Sequence, residues 1–386
     1  MEKIVKVLMK LIKSVICNTD VDISDTLTDE EEHRIYDICK EHSISTIIGE
    51  ALSKYDVIKN KQLKSMFMNA SFSSVFGYER LKADIEIITD IFEKEKIPYI
   101  KLKGPRIRNY YPKPWLRTSG DIDILVHEED VACAVNILSN KAGFKAEKYN
   151  YHDVPMESPN GSIFELHFSI KENIPNLDKV LGKVWKYSIK VSNDKESVEY
   201  KQTNEFFLFH LIAHMAYHFQ HGGCGIRSVI DIYLIRKQMS YDESIVMEFC
   251  KEAGIEKFYK YLIELTKVWF EDQEYDNVTS AMEEFIISGG TFGTDENSIS
   301  VQQNIKGGHK RYIKSKIFAT YEHLSGQYPG LSKHKHFIFV YQIKRWVDMV
   351  KDGKLKRYIK EYNTSKNISK NKLDSTEKLL KELGIL

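Results

Sequence analysis

Residues 102–126 read LKGPRIRNYYPKPWLRTSGDIDILV, and the last six of them decide the fold. Asp121-Ile122-Asp123-Ile124-Leu125-Val126 alternates polar with apolar, the period of a strand with one face in a core. On a strand, Asp121 and Asp123 emerge on the same face, while Ile122, Ile124 and Val126 anchor the other. Two ionised carboxylates held side by side repel one another unless a positive charge sits between them. A hard dication is the usual answer, because magnesium prefers carboxylate and phosphate oxygens.

Upstream, Pro98 to Lys103 alternates as a second strand, which puts Lys101 and Lys103 on one face and runs into Gly104-Pro105. A strand that ends in glycine before a helix lets backbone N–H groups approach a phosphate closely. Arg106, Arg108 and Arg117 add guanidinium forks between the two strands. Downstream, Phe164-Glu165-Leu166-His167-Phe168 alternates again, with Glu165 and His167 on the polar face. If that strand lies beside the first, Glu165 becomes a third carboxylate at the same place.

Around these strands the spacing predicts an α+β unit over 96–200. His127 to Ala142 reads as a helix stopped by Gly143. Phe144 to Met156 and Ser162 to Ser169 flank Pro159-Asn160-Gly161, a hairpin signal because Asn-Gly supplies positive φ. Val184 to Tyr200 holds a further strand pair around Asn193-Asp194-Lys195. Residues 1–95 read as a helical region, in which Thr28 and Glu31 form a capping box. Residues 201–288 read as a helical domain that completes a cleft. Residues 289–386 read as a linker (Gly289 to Gly308) and C-terminal helices, with a polar, loosely held tail near Asn363 to Lys378.

Composition narrows the function. Lys+Arg of 56 against Asp+Glu of 55 leaves a net charge of +1, so no global field draws in nucleic acid. The five cysteines are scattered and form no CxxC pair, which argues against a disulfide framework or a zinc ribbon and for a reducing, cytoplasmic setting. Lys3, Lys6, Lys10 and Lys13 interrupt the apolar N-terminus at helical spacing, so it reads as a docked amphipathic helix rather than a signal peptide. No membrane span is expected.

His210, His214 and His218 recur every four residues. Four-residue spacing drifts around a helix and no HExxH glutamate is present, so a polar face packed on the α+β unit is favoured over a metal chelate. Cys224 lies near these histidines, but nothing supplies the third, orienting group of a Cys-His nucleophile.

Taken in order, LKGPRIRNYYPKPWLRTSGDIDILV followed by FELHF resembles the nucleotidyltransferases of the DNA polymerase β superfamily. The likeness is greatest to a bacterial branch with LKG, R-x-x-x-DID-x-L-V and a later acidic-Leu-His element. The resemblance covers about residues 96–235. It implies a mixed-sheet core and in-line attack on the α-phosphate of a nucleoside triphosphate, with pyrophosphate leaving. Asp121, Asp123 and Glu165 would hold two magnesium ions, with manganese as the alternative, and Glu165 would help deprotonate an acceptor hydroxyl. Lys103, Gly104, Arg117 and Lys101 would grip the triphosphate. His167, His214, His218, Arg227 and Asp231 would stand behind them, the last two as i, i+4 partners bracing the site. The superfamily's Gly-Ser or Gly-Gly turn is Gly104-Pro105 here, which removes one N–H donor. The expected reaction is transfer of AMP to a small hydroxyl-bearing molecule. The alternatives are a protein or tRNA acceptor, or a hydrolase using His214, His218 and Asp231 on a metal.

Overall fold

A computed structural model describes residues 2–291, 293–331, 335–353 and 355–386. The N-terminal region is helical: α1 (Glu2–Ile16), α2 (Asp29–Glu41), α3 (Ser45–Ala51) and the 35-residue α4 (Lys61–Glu95). The apolar face of α1 is buried, and its lysines reach outward, Lys3 to Glu31 at 2.7 Å and Lys13 to Asp272 at 2.5 Å. Thr28 and Glu31 cap α2 reciprocally, as their spacing predicts.

The alternating segments form one seven-stranded mixed sheet. Its members are β1 (Tyr99–Lys101), β2 (Asp121–Val126), β3 (Lys145–Ala146), β4 (Asp153–Glu157), β5 (Ile163–His167), β6 (Ser188–Lys190) and β7 (Glu199–Gln202), in the order β3-β4-β5-β2-β1-β7-β6. The short α5 (Lys103–Ile107) follows β1, α6 (Val131–Ala142) follows β2, and α7 (Pro175–Leu181) lies between β5 and β6. Gly143 ends α6 in the left-handed conformation at φ 70°. Together these elements make an α+β fold with helical regions before and after the sheet.

Each sheet face has its own partner. Ile122, Ile124 and Val126 pack with Phe164 and Leu166 against Ile88 and Phe92 of α4 and Leu138 of α6. On the other face Ile100, Leu102 and Leu125 join the larger core built by the helices that follow. Those helices are α8 (Asn204–Gln220), α9 (Ile226–Gln238), α10 (Glu243–Glu252), α11 (Glu256–Phe270) and α12 (Asn277–Gly289).

The hairpin turn is fixed from below. Gly161 takes φ 77°, and the buried Asp84 of α4 accepts hydrogen bonds from Ser158 Oγ and Asn160 Nδ2, both at 2.7 Å. This clamp sets where β5 begins, and with it the height of Glu165.

Two expectations for the C-terminal third are corrected. The Gly-rich segment after α12 contains a helix, α13 (Asp295–Lys306), capped by Thr294, with Ile299 and Val301 buried. After α14 (His309–Ile317), α15 (Tyr321–Gln327), α16 (Ile338–Lys351) and α17 (Leu355–Asn367), the polar tail forms α18 (Lys370–Glu382). Leu379, Leu380, Leu383 and Ile385 anchor α18 in the main core. Polar composition hid this docking, because one apolar stripe suffices to hold a helix.

Candidate active site

β2 and β5 run side by side and parallel, in a register that sets Asp123 opposite Glu165. Their apolar neighbours are pinned in the core beneath, so the carboxylates have no other face to occupy. His167, two residues along β5, completes the group: its Nε2 lies 3.2 Å from Asp123 Oδ1 and 3.2 Å from Glu165 Oε2. The ligand atoms of Asp123, Glu165 and His167 all fall within 4.8 Å of one another. Asp121 stands next along the strand and accepts a hydrogen bond from Ser119 Oγ at 2.9 Å.

The electrostatics separate the two aspartates. Burial raises the pKa of Asp121, and the charges of Asp123 and Glu165 raise it further. Asp123 is buried too, yet the hydrogen bond and charge of His167, with the charge of Lys103, hold its carboxyl well below the usual range. His167 is nearly buried, which by itself would disfavour its charge, but its two carboxylate partners raise its pKa to about 9. An imidazolium thus fills the gap between Asp123 and Glu165 and supplies the positive charge that this carboxylate group requires. A dication bound there would replace that charge. The oxygens of Asp121, Asp123 and Glu165 are donors of the kind a hard dication such as magnesium or manganese takes, so the carboxylates fit such an ion, while the His167 nitrogen is a softer donor.

A cavity of about 410 Å³ opens over the two aspartates, lined by Lys103, Gly104, Asp121 and Asp123 on one side and by His214 and His218 of α8 on the other. Lys103 Nζ lies 3.1 Å from His214 Nε2, while His214 Nδ1 meets Glu172 Oε1 at 2.7 Å. Burial, followed by the Lys103 charge, keeps His214 neutral, so its Nδ1–H donates to Glu172 and its Nε2 accepts. The histidine helix therefore serves partly to hold a lysine over the carboxylates. His210 is a core residue: its Nδ1 lies 3.1 Å from Gln202 Nε2.

Several residues stand elsewhere than their spacing implied. The strand ends at Lys101, and Lys103 already belongs to α5, so the two lysines do not share a face. Lys101 points to the opposite side of the sheet and pairs with Glu199 at 2.7 Å. Arg227 and Asp231 are not bonded to each other. Arg227 donates to the Thr118 carbonyl at 2.5 Å, whereas Asp231 receives Arg117 Nε at 3.0 Å, Arg117 Nη2 at 2.9 Å and Tyr111 Oη at 2.6 Å. The bidentate fork of Arg117 outcompetes the i, i+4 geometry because Asp231 of α9 faces the connection between α5 and β2, which carries Tyr111 and Arg117. Arg117 Nη1 has no partner among the described residues, and it faces Gly104, where an added Cβ would come within 3.8 Å.

Pro105 falls in the first turn of α5, where an N–H has no helical acceptor, so the missing donor costs the helix nothing. Arg106 is spent on structure: it bonds the Gln202 carbonyl at 2.8 Å and stacks 3.9 Å from the Phe207 ring centroid. Cys224 is buried and its thiol pKa is pushed up by desolvation, which removes it as a nucleophile. The hydrolase alternative loses its acid, since Asp231 is bound to Arg117 and Tyr111. Sequence reasoning missed Asp84 and Glu172, whose partners lie far along the chain, and Ser119, which sits in a loop without a pattern.

No helix of the described residues is long and apolar enough to cross a membrane. No curated protein and no solved structure matches the chain. A family model described as an uncharacterised nucleotidyltransferase matches residues 28–271, well over half the chain. The chain belongs to that family and is a transferase enzyme.

Proposed function

We propose that this nucleotidyltransferase moves AMP from ATP to a hydroxyl of a small molecule, releasing pyrophosphate, with two magnesium ions bound at Asp121, Asp123 and Glu165. The observation that carries the reading is the parallel register that sets Asp123 against Glu165, with Asp121 beside them at the floor of a cavity.

When bound, the ions supply Lewis-acid stabilisation of the phosphoryl oxygens. The chain's own residues do the rest. Asp121 and Asp123 hold the ions from one strand, while Glu165, more exposed than Asp123, accepts the proton of the incoming hydroxyl. Lys103, held by His214, neutralises the triphosphate, and the unpaired Arg117 Nη1 and the Gly104 backbone border its path. His167 balances the carboxylates while the site is empty and orients Asp123 when it is filled. Positioning and charge stabilisation are the main demands of such chemistry.

Incubation of the protein with each α-labelled nucleoside triphosphate, magnesium and a metabolite extract tests the reading. Label transferred from ATP to a small molecule supports it. Label on protein or tRNA would shift the acceptor class, and absence of any transfer would count against the reaction.

A further inference from the structure

Arg108 is a buried cation with no ion-pair partner among the described residues. Its side chain is 4% exposed, and no carboxylate lies within ion-pair distance of it among the described residues. Its one guanidinium hydrogen bond among those residues is a long one, from Nε to the Arg117 carbonyl at 3.4 Å. Burial and the neighbouring Arg117 charge push its pKa down to about 10, and the charge of Asp121, beyond ion-pair distance, offsets this only in part. A buried, unpaired guanidinium is costly unless something absent from the chain completes it.

Arg108 lines a second cavity, of about 350 Å³, on the far side of Arg117 and Ser119 from the first. Its opposite wall is one face of α4, where Ala70, Ser73, Ser74 and Gly77 recur at helical spacing and leave room. Gly77 lies mid-helix, where glycine costs roughly 0.5–1 kcal/mol against alanine. Its φ is ordinary, and a Cβ there would meet nothing within 4 Å, so neither backbone geometry nor close packing requires it. What the glycine does is open the wall. Tyr78 adds an aromatic side, and Ser43, Arg117 and Ser119 line both cavities, with Ser119 also bonded to Asp121.

We propose that this second cavity seats the acceptor, and that Arg108 binds an anionic group on it, a phosphate or a carboxylate. The assignment rests on the nucleotidyl-transfer reading. Lys103, Gly104 and the free Arg117 nitrogen serve the first cavity, which leaves the second to Arg108, its buried cation, and to the exposed Lys40. The wall shared by the two cavities, in which Ser119 is bonded to Asp121, sets a molecule held by Arg108 beside the nucleotide cavity. The volume suits a small molecule, not a folded partner.

The test is calorimetric titration of the full-length protein, at constant ionic strength, with inorganic phosphate, with acetate, and separately with ATP and magnesium. One of the two anions should saturate the wild type and thereby identify the group. Arg108→Gln should weaken that anion by about tenfold or more while changing ATP affinity less than about twofold. Gly77→Leu, which fills the cavity without touching Arg108, should abolish anion binding and spare ATP. Saturation by neither anion, or unchanged anion affinity in both variants, would overturn the proposal. So would an equal loss of ATP affinity in Arg108→Gln, which would assign Arg108 to the triphosphate. If the wild type binds no ATP but loses phosphate on Arg108→Gln, the anion site stands and the nucleotidyl-transfer reading falls.

Discussion

Asp123 and Glu165, 42 residues apart in sequence, face one another across two parallel strands, and His167 Nε2 stands 3.2 Å from an oxygen of each. The imidazolium is the charge that lets the carboxylates coexist in the absence of a metal. In the proposed reaction nucleotide and metal binding are coupled, because one imidazolium against three carboxylates leaves the group net negative and the triphosphate needs the ion to approach it. ATP affinity should rise about tenfold or more between EDTA and magnesium, as read by calorimetry. Equal affinity in both conditions would place the nucleotide elsewhere.

The buried pair of Arg117 with Asp231 makes the next prediction. Asp231→Asn removes the charge that satisfies a 9%-exposed guanidinium, and should cost about 3–5 kcal/mol in urea unfolding. Tyr111→Phe removes one hydrogen bond to the same carboxylate and should cost about 1 kcal/mol. A surface-like loss below about 1 kcal/mol for Asp231→Asn would show that the pair is not a brace.

His42 links three helices. Its Nδ1 accepts from the Ile226 N–H at 3.1 Å, its Nε2–H donates to the Ile287 carbonyl at 3.2 Å, and its ring is fully buried. Burial lowers its pKa from the usual 6.5 to about 4. The unfolded chain therefore binds a proton that the folded chain refuses. Stability from this group is complete above pH 6.5 and is lost as pH falls towards 4, by about 2 kcal/mol between pH 7 and pH 5. Urea melts across that range should show a shallower slope for His42→Leu, which is itself less stable at pH 7.

Much of this was legible in the residues because period and chemistry agreed. Ile122, Ile124, Phe164 and Leu166 announced two half-buried strands, so the faces of Asp121, Asp123, Glu165 and His167 followed. That the strands are neighbours was not legible, since register depends on the Asp84 clamp 76 residues from Asn160. Charge pairing misled for the same reason: Arg227 and Asp231 have ideal local spacing, yet Arg117, 114 residues from Asp231, reaches it with a better fork. Lys101 and Lys103 do not share a face because the strand ends at Lys101, two residues earlier than alternation suggested. The α13 and α18 helices escaped notice because polar composition conceals a narrow apolar stripe.

Pro105 supplies a further prediction. In the first turn of α5 its missing N–H removes a phosphate donor without harming the helix. Pro105→Ser restores that donor and should keep or improve ATP affinity, with unchanged circular dichroism. A large loss of affinity in a folded protein would mean that the turn grips the triphosphate differently.

The central claim, that the Asp pair serves chemistry and not folding, is tested most directly by comparing neighbours on β2 in melts without metal and in transfer assays with it. Asp121 is held at raised pKa by burial and by like charges, so Asp121→Asn should leave the melting temperature unchanged or higher. Asp123 is engaged by His167, so Asp123→Asn should lose a little stability. Both should lose nucleotidyl transfer by about a hundredfold or more. Ile122→Asn, at a fully buried position between them, should instead unfold the protein at a cost of about 2–4 kcal/mol. An Asp121→Asn protein that melts far below wild type in EDTA, or one that stays folded and transfers nucleotide at the wild-type rate, would contradict the account.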